Sequence, residues 1–520
     1  MIRTDVLVIG SGAAGLLLAL HAAENGLAVA VATKGTIEES NTAWAQGGVA
    51  ASLDLEEDSA AAHLADTLAA GAGLVDEAAA ALVAAEAPKR IEELRELGVA
   101  FNLDVSGGLA LTREAAHSHA RTVFSEDATG RAISTTLAQK ALHHPRVTVV
   151  ERATAVSLIV RDGRALGAWV HATDRLEAIV ARLATALATG GVGQVYERTT
   201  NPPGATGDGL SLALAAGATL ADVEFVQFHP TALAVEGAPA LLVSEAARGE
   251  GGILINNRGE RFCFEADPRG ELAPRDVVAR AIYREMQRTG TGVWLDLRPI
   301  GTAKHIRTRF PNIAAACARF GVDIGTEPIP VGPAAHYHMG GVVTDLCGRT
   351  AIRSLYAVGE CACTGLHGAN RLAGNSLAEC LVFASRAAED IGGIVAEADG
   401  ALATGNAPQD TVAAGDASAL RLVMWEGASV VREGAQLFDL QQQLTAWPVR
   451  TQRLSRAALE ARSLLDAARV ITQAALIREE SRGAHYRTDF PVRDDEHWLV
   501  RIVWSAGGYQ IVPIATPATA

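Results

Sequence analysis

Three glycines near the N-terminus have the spacing that brings a polypeptide backbone against a phosphate. Gly10-Ser11-Gly12-Ala13-Ala14-Gly15 reads G-x-G-x-x-G between a strand-like run, Asp5 to Ile9, and a segment of helical composition, Leu16 to Glu24. The first glycine permits a tight turn, the second lets the backbone approach a pyrophosphate, and the third lets the helix pack on the sheet. The N-terminus of the helix stabilises the phosphate charge. The motif therefore predicts a dinucleotide site.

The second strand of this unit ends without the acidic residue that binds ribose in NAD enzymes. The strand-like run Leu27 to Ala32 completes a βαβ unit, and Thr33-Lys34 follows it directly. An Asp or Glu at this place would bind the ribose 2′-hydroxyl of NAD. Its absence disfavours ordinary NAD binding.

Composition and charge exclude several classes of function. The net charge is −14, and no run rich in Lys or Arg occurs, which disfavours a nucleic-acid partner. The six cysteines have neither C-x-x-C pairs nor the clustered spacing of an iron–sulfur protein, so free thiols in a reducing compartment and no metal site are expected. No signal-peptide pattern is present, and no apolar run reaches the roughly 18 residues of a membrane helix. These patterns predict a soluble cytoplasmic protein.

The chain of 520 residues is too long for one hydrophobic core, so several domains are expected. Residues Val147 to Val180 alternate in the manner of an antiparallel meander, with Asp162-Gly163 as a turn. Phe228 to Tyr337 shifts in composition and indicates an inserted domain. Leu420 to Arg478 has helical patterning and no strand candidates.

Further segments, in order along nearly the whole chain, resemble the succinate dehydrogenase/fumarate reductase flavoprotein family. They include Asn41-Thr42-Ala43-Trp44-Ala45-Gln46-Gly47-Gly48, Thr206-Gly207-Asp208-Gly209, Tyr356-Ala357-Val358-Gly359-Glu360 and Asn375-Ser376-Leu377. The resemblance implies an α/β fold with a Rossmann-like FAD-binding domain (1–228 and 338–395), an inserted α+β capping domain (229–337) and a C-terminal helical domain (410–520). Thr33-Lys34 is also typical of this family.

The cofactor that the resemblance implies is FAD, held without a covalent bond. Asn41 stands where succinate dehydrogenases have a histidine that is bonded to the flavin, and an Asn side chain lacks the nucleophile for that bond. The expected cofactor-binding residues lie in the glycine-rich loop, in Thr33-Lys34, in the segments just given, and in Thr189-Gly190-Gly191, which follows the strand-like run Ala184 to Ala188. They are Gly10, Ser11, Gly12, Ala13, Ala14, Gly15, Thr33, Lys34, Asn41, Thr42, Ala45, Gln46, Gly47, Gly48, Gly190, Gly191, Asp208, Glu360, Asn375, Ser376 and Leu377.

Five other segments resemble the dicarboxylate site of this family. They are Phe228-His229-Pro230-Thr231, Ser244 to Gly252, Pro274 to Val278, His336 to Gly341 and Gly368-Ala369-Asn370-Arg371-Leu372. A four-carbon dicarboxylate needs donors at both ends, and Arg offers a planar fork to a carboxylate. By this resemblance His229, Ser244, His336 and Arg371 bind substrate. Taken singly, a His or Arg is more often structural.

A proton relay is also implied. Arg275 matches the arginine that the family uses for proton transfer, and Glu245 and Arg248, three residues apart, resemble its relay. Because the pKa of arginine is above about 12, this role requires a nearby acid and a site closed to solvent.

The segment Leu111 to Arg121 contains T-R-E-x-x-H-S-x-x-R, as in the branch of the family that oxidises L-aspartate. By this resemblance, Glu114 is expected to supply the negative partner that the ammonium of the substrate requires. The activity implied is oxidation of L-aspartate to iminoaspartate, with O2, giving H2O2, or fumarate as acceptor, followed by quinolinate synthase in de novo NAD biosynthesis. Two alternatives stay open: a fumarate reductase or succinate dehydrogenase flavoprotein subunit, and a non-catalytic FAD protein that passes electrons within an assembly.

Overall fold

The computed structural model describes residues 1–54, 56–395, 406–505 and 507–514. The strands are β1 Ile2–Ile9, β2 Val29–Ala32, β3 Val49–Ala50, β4 Leu111–Thr112, β5 Thr122–Val123, β6 Val147–Val150, β7 Ala153–Arg161, β8 Arg164–Ala172, β9 Arg175–Leu187, β10 Leu220–Ala221, β11 Val226–Leu233, β12 Ile253–Ile255, β13 Val293–Asp296, β14 Ile329–His338, β15 Gly341–Val343, β16 Leu355–Ala357, β17 Ala362–Cys363, β18 Thr411–Ala414, β19 Arg450–Arg453, β20 Val500–Ser505 and β21 Gly508–Pro513.

The α-helices are α1 Ala13–Glu24, α2 Asn41–Trp44, α3 Ala60–Ala70, α4 Glu77–Leu97, α5 Thr129–His143, α6 Asp208–Ala215, α7 Glu245–Gly249, α8 Arg275–Thr289, α9 Ala303–Arg309, α10 Pro311–Ala318, α11 Asn375–Gly392, α12 Ala417–Ala428, α13 Gly434–Thr445, α14 Arg456–Ile477 and α15 Asp495–Trp498. In the part of the chain that the structure describes, no helix is both long and apolar enough to cross a membrane.

A mixed sheet forms the centre of the predicted FAD-binding domain. Strand β1 lies between β2 and β9, both parallel to it, and the sheet continues in the order β6-β2-β1-β9-β8-β7 with β16 beside β9. Residues 6–9 of β1 are buried, as expected for a parallel strand that is covered on both faces. The predicted βαβ unit is confirmed as β1, α1 and β2.

The predicted antiparallel meander is correct for β7, β8 and β9, with its first turn at Asp162-Gly163. The prediction was wrong at its start, because β6 pairs in parallel with β2. Alternation of side chains does not reveal strand direction, so pattern alone could not separate β6 from the meander.

The inserted region has its own four-stranded sheet, in the order β11-β14-β13-β12, and its own apolar core. The long antiparallel pair β11 and β14 runs across both predicted domain limits, at 229 and 337. His229 on β11 and His336 on β14 therefore stand where the inserted region joins the predicted FAD-binding domain. The limits themselves stay a prediction.

The C-terminal region contains the expected helices, α12 to α14, together with strands. Strand β19 interrupts the stretch Leu420 to Arg478, for which no strand was expected, and pairs with β18. Its sequence, Arg-Thr-Gln-Arg, is fully exposed and has no apolar alternation that could signal a strand. Strands β20 and β21 add to the sheet of β10, β15 and β17. Of the predicted domain 410–520, residues 506 and 515–520 lie outside the described residues.

Candidate active site

The glycine-rich loop is shaped by close backbone approaches. Gly10 has φ +115°, and a Cβ there would lie 2.1 Å from the carbonyl oxygen of Ala188. A Cβ on Gly15 would lie 2.2 Å from the carbonyl oxygen of Gly10. A Cβ on Gly12 would meet only the hydroxyl of Thr42, at 3.4 Å. Packing thus requires the outer two glycines, whereas Gly12 lines a cavity and leaves room for a ligand.

This first cavity has a volume of about 390 Å³ and begins at the N-terminus of α1. Gly12 offers no side chain to cap that end of the helix, and the N–H of Ala13 donates to Thr42 Oγ1 at 3.0 Å, so the amides that follow Ala13 are the ones that remain for an anion. Most of the predicted cofactor residues line the cavity: Gly10, Ser11, Gly12, Ala13, Ala14, Thr33, Lys34, Asn41, Thr42, Gly190, Asp208 and Glu360. Gly15 and Gly191 do not, and a Cβ on Gly191 would lie 2.1 Å from Oε1 of Glu360. Both act through packing.

Lys34 owes its position to acidic residues from distant segments. Its Nζ lies 2.6 Å from Oδ2 of Asp208 and 3.0 Å from Oε1 of Glu460 on α14. The hydroxyl of Ser11 donates to that of Thr33 at 2.9 Å. The charge of Lys34 is therefore neutralised within the protein by Asp208 and Glu460. Glu460 stands more than 400 residues further along the chain, so no local pattern could indicate this pair.

Asn41 and Glu360 line both this cavity and a second one, and so join them. Asn41 Nδ2 donates to Glu360 Oε2 at 3.0 Å, and the backbone N–H of His338 donates to Oε1 at 3.1 Å. Burial raises the pKa of Glu360 to about 7. Trp44, which is 47% exposed, stands at the same junction.

The second cavity, of about 120 Å³, brings together every predicted substrate residue. Its lining includes Glu114, His229, Ser244, Glu245, Arg275, His336 and Arg371, and also the predicted cofactor residues Ala45, Gln46, Gly47, Gly48, Ser376 and Leu377. Asn375 does not line it. Its Nδ2 donates to Thr67 at 3.0 Å, and its Oδ1 accepts from His63 Nε2 at 2.7 Å, so it anchors the start of α11 instead.

Two arginines of this cavity share one neutral acceptor. Arg275 Nη1 and Arg371 Nη2 each donate to Gln227 Oε1 at 3.1 Å. The other end of Gln227 donates to Asn370 Oδ1 and to the carbonyl of Arg371. Burial and the charge of Arg275 lower the pKa of Arg371 to about 10. The side chain of Arg371 donates only to neutral groups, Gln227 and Ser376, among the described residues, so its charge is not paired and the cavity favours anions at this guanidinium.

Arg275 also forms a buried ion pair that continues away from the cavity. Its Nε lies 2.5 Å from Glu245 Oε2, and Glu245 Oε1 lies 3.1 Å from Arg248 Nη2. Burial acts to raise the pKa of Glu245, but Arg275 and Arg248 outweigh it and hold the pKa below its usual value. Arg248 does not line the cavity; its Nη1 donates to the carbonyl of Glu271. The predicted relay is thus a chain of contacts with one end at the cavity.

His229 is a neutral donor aimed at a site with no protein partner. The backbone N–H of Thr231 donates to His229 Nδ1 at 3.2 Å, and because an amide can only donate, Nδ1 carries no hydrogen. The hydrogen therefore sits on Nε2, which is buried and has no partner in the described part of the chain. Burial and the charge of Arg275 hold the pKa of His229 well below 6.5.

Glu114 is the acid that balances these groups. It is 4% exposed, and burial and the nearby Glu245 raise its pKa. The same segment is fixed by Arg121, which is fully buried. Its Nε and Nη2 donate to Asp58 at 2.9 and 2.8 Å, and its Nη1 donates to His117 Nδ1 at 3.0 Å. His117 in turn donates to the carbonyl of Ala373 at 2.9 Å. This chain ties the Glu114 segment to the backbone beside Arg371.

Sequence reasoning missed several residues of the second cavity and its surroundings. Gln227, Thr200 and Asn201 carry no acid or base whose type would mark a site. Trp44 and Tyr337 stand inside segments that were matched to the family, but neither was singled out as a site residue. Gln227 directly precedes the Phe228-His229-Pro230-Thr231 segment, and that adjacency is the signal that could have found it. Thr200 lies 136 residues before the histidine that it contacts, so no spacing indicates the contact.

The residues of the first cavity and its junction fit FAD. Thr189 Oγ1, which lines the first cavity, is buried and has no hydrogen-bond partner among the described residues, and the amides of α1 that follow Ala13 suit a pyrophosphate. A flavin at the junction would place its reactive ring beside the anion-binding cavity. Among the described residues, no cluster of His, Cys, Asp or Glu could hold a metal ion.

Comparisons with known proteins agree with this geometry. The family described as FAD binding domain matches residues 5–377, and the one described as fumarate reductase flavoprotein C-term matches residues 417–513. L-aspartate oxidase from Nostoc sp. is 45% identical over 95% of this chain and 92% of its own length. L-aspartate oxidase 1 from Ralstonia nicotianae is 45% identical over 94% of this chain and 95% of its own.

Among solved structures, a variant of E. coli quinol fumarate reductase superposes with a TM-score of 0.89 at 31% identity, covering 100% of this chain and 98% of that one. The fold is therefore shared with fumarate reductase flavoproteins, whereas the higher identity lies with aspartate oxidases. The chain belongs to the L-aspartate oxidases, FAD-dependent enzymes within the succinate dehydrogenase/fumarate reductase flavoprotein family.

Proposed function

We propose that this chain oxidises L-aspartate to iminoaspartate with non-covalently held FAD, and that O2, giving H2O2, or fumarate takes up the electrons. One observation carries the proposal. The second cavity gathers cationic and neutral donors, Arg275, Arg371, His229 and His336, around Glu114, a buried acid with a raised pKa. The other acid of this cavity with a raised pKa, Glu360, is already bonded to Asn41 and to the backbone of His338. L-aspartate has the matching charges, two carboxylates and one ammonium.

The carboxylates of the substrate meet donors that lack a protein partner. Nε of Arg371 and Nε2 of His229 are both buried and unpaired in the described residues. Ser244 accepts from the backbone N–H of Ala246 at 3.3 Å, which leaves its hydroxyl hydrogen for a ligand. Buried donors without partners cost about 1 to 3 kcal/mol each, and a carboxylate that satisfies them recovers this cost.

Glu114 distinguishes L-aspartate from succinate. Without a ligand, its burial disfavours the charged carboxylate, and the raised pKa expresses that cost. An ammonium placed beside it would favour the charged form. Succinate has a hydrogen at that position and would leave Glu114 without a partner, so the same group attracts one substrate and disfavours the other.

The redox step removes a hydrogen with its electron pair from Cα and a proton from the nitrogen, which turns the C–N bond of the ammonium form into a protonated C=N bond. When bound, FAD supplies the two-electron acceptor for this step and passes the electron pair to O2 or to fumarate. The residues of the chain hold Cα in place by binding both carboxylates and the nitrogen.

Arg275, Glu245 and Arg248 provide the path for a proton. Saturation of the double bond of fumarate requires a proton at carbon, and Arg275 is the cavity residue with an acid directly behind it, Glu245 at 2.5 Å. Proton loss from Arg275 would be compensated through Glu245. The path is buried, which keeps water from competing with it.

Iminoaspartate is the substrate that quinolinate synthase takes in de novo NAD biosynthesis, and we place this chain before that enzyme, in the cytoplasm. The direct test is L-aspartate-dependent formation of H2O2 by the purified FAD-loaded chain in air, and of succinate from fumarate without oxygen. D-aspartate and succinate serve as controls in the first assay. Succinate oxidation without L-aspartate oxidation would favour a succinate dehydrogenase or fumarate reductase subunit instead.

A further inference from the structure

The loop 199–201 of the predicted FAD-binding domain fixes the end of β14, which carries His336. Thr199 forms a parallel bridge with Ala335, and the backbone N–H of Thr200 donates to the carbonyl of Ala335 at 2.9 Å. Asn201 Nδ2 donates to the carbonyl of His336 at 2.9 Å. The loop therefore holds the backbone on both sides of the histidine.

The side chain of Thr200 reaches the ring of His336. Thr200 is 7% exposed, and its Oγ1 lies 2.8 Å from Nδ1 of His336. Either atom could donate in such a pair, so the direction has to come from the other partners of the hydroxyl. The only other acceptor in reach among the described residues is the carbonyl oxygen of Ala335, at 3.4 Å.

That carbonyl oxygen is already occupied. It accepts from the N–H of Thr200 at 2.9 Å and from the hydroxyl of Thr199 at 2.9 Å, which uses both of its lone pairs. A third donor at 3.4 Å is disfavoured. The hydroxyl hydrogen of Thr200 therefore points to His336, and Nδ1 of His336 is the acceptor.

Once Nδ1 accepts, the hydrogen of the neutral ring lies on Nε2. Burial and the charges of Arg275 and Arg371 hold the pKa of His336 well below 6.5, so the ring is neutral. His336 lines the cavity, and its Nε2 has no partner in the part of the chain that the structure describes. His229, with its ring centre 5.0 Å away, has the same tautomer for a different reason, the backbone N–H of Thr231.

We propose that Thr200 is a positioning residue that fixes His336 in the Nε2–H tautomer, so that His336 donates a hydrogen bond to a carboxylate of the substrate. The proposal deepens the proposed function and rests on it, since it concerns the same cavity. His229 and His336 then form a pair of neutral donors whose tautomers are fixed by different groups. The backbone N–H of Thr231 fixes His229 and cannot be removed by a side-chain substitution, whereas the side chain of Thr200 fixes His336.

The test compares Thr200→Val, which keeps the shape and removes the hydroxyl, with Thr200→Ser, which keeps the hydroxyl. Nitrogen NMR of ¹⁵N-histidine-labelled FAD-loaded chain reports which ring nitrogen carries the hydrogen, and a His336→Gln variant assigns the signals. We expect wild type and Thr200→Ser to show an unprotonated Nδ1 and a protonated Nε2. In Thr200→Val the two signals should move towards each other, because no group selects one tautomer.

Kinetics give the second readout. For Thr200→Val we expect KM for L-aspartate to rise by about 10-fold, the effect of weakening one hydrogen bond to a charged group, with a smaller change in kcat. Thr200→Ser should recover most of the affinity. Flavin absorbance and thermal unfolding should match those of wild type, which shows that the loop has not simply unfolded.

The nitrogen signals and KM together decide the role of Thr200. If Thr200→Val keeps both the wild-type nitrogen signals and the wild-type KM, the proposal is overturned. If Thr200→Ser behaves like Thr200→Val in both readouts, the hydroxyl is not the determinant and the proposal is likewise wrong. Failure of the proposed function is seen separately, as a wild-type chain that does not oxidise L-aspartate, and in that case the NMR comparison alone decides the role of Thr200.

Discussion

Arg275 and Glu245 form a buried ion pair, with Nε of the arginine 2.5 Å from Oε2 of the glutamate. The side chains are 9% and 3% exposed. Glu245 approaches Arg275 from α7, while Gln227 holds its other end from β11. Two helices of the inserted region, α7 and α8, and the start of β11, just before that region, thus fix one guanidinium at the edge of the cavity.

Arg275→Lys should remove most of the activity although it keeps the charge. A lysine ammonium cannot contact both Glu245 and Gln227 with the planar geometry of a guanidinium. We expect kcat for fumarate reduction to fall by at least about 100-fold, the usual scale of a lost general acid. Arg288→Lys, on the same helix and 53% exposed, is the matched control and should leave kcat unchanged. Turnover that survives Arg275→Lys would remove Arg275 from the proposed proton path.

Glu114→Gln should act on L-aspartate more than on fumarate. Loss of the carboxylate removes the partner of the ammonium, and we expect KM for L-aspartate to rise by about 10-fold to 100-fold. Fumarate has no ammonium, so its KM should change little or fall. Glu96→Gln, at an exposed position on α4, controls for the loss of a charge. Equal effects on both substrates would contradict a role in amine recognition.

Denaturation should release all of the flavin. Asn41 offers no nucleophile to the flavin and instead donates to Glu360 at 3.0 Å. After acid precipitation, we expect the yellow colour in the supernatant and a colourless protein pellet. A pellet that keeps the colour would show a covalent flavin and contradict the non-covalent attachment.

Asp58 should make the folded state sensitive to acid. Burial acts to raise its pKa, but hydrogen bonds from Arg121, Ser59 and Ser52, together with the charge of Arg121, outweigh this and lower the pKa from 3.8 to about 2. A lowered pKa gives stability that is present above pH 3.8 and is lost as the pH falls towards about 2. The loss should be about 2 kcal/mol in the free energy of unfolding, measured with urea. In Asp58→Asn this step should be absent, whereas Asp162→Asn, 86% exposed, should retain it.

Local pattern was enough for the parts of the fold that a short segment determines. The glycines of the first loop, the βαβ unit and the alternation of β7 to β9 all follow from residues close in sequence. Local pattern did not reveal that the fully polar segment β19 is a strand, nor that β6 pairs in parallel with β2. Both depend on strands elsewhere in the chain.

The same limit applies to the site. Residues with distinctive chemistry, such as Arg275, His229 and Glu114, were found from type and resemblance, and the structure places them around one cavity. Gln227 and Thr200 were missed because each acts only by orienting another side chain. Gln227 offers one acceptor to two arginines, and Thr200 directs its hydroxyl hydrogen at His336. Such roles become visible only when the partners and their distances are known.

The central claim is that this cavity presents an amine-binding acid beside dicarboxylate donors and a flavin. It is tested most directly by adding L-aspartate, and separately succinate, to the oxidised FAD-loaded chain without oxygen and following the loss of flavin absorbance. The account predicts rapid bleaching by L-aspartate and little by succinate. Bleaching by succinate and not by L-aspartate would contradict it.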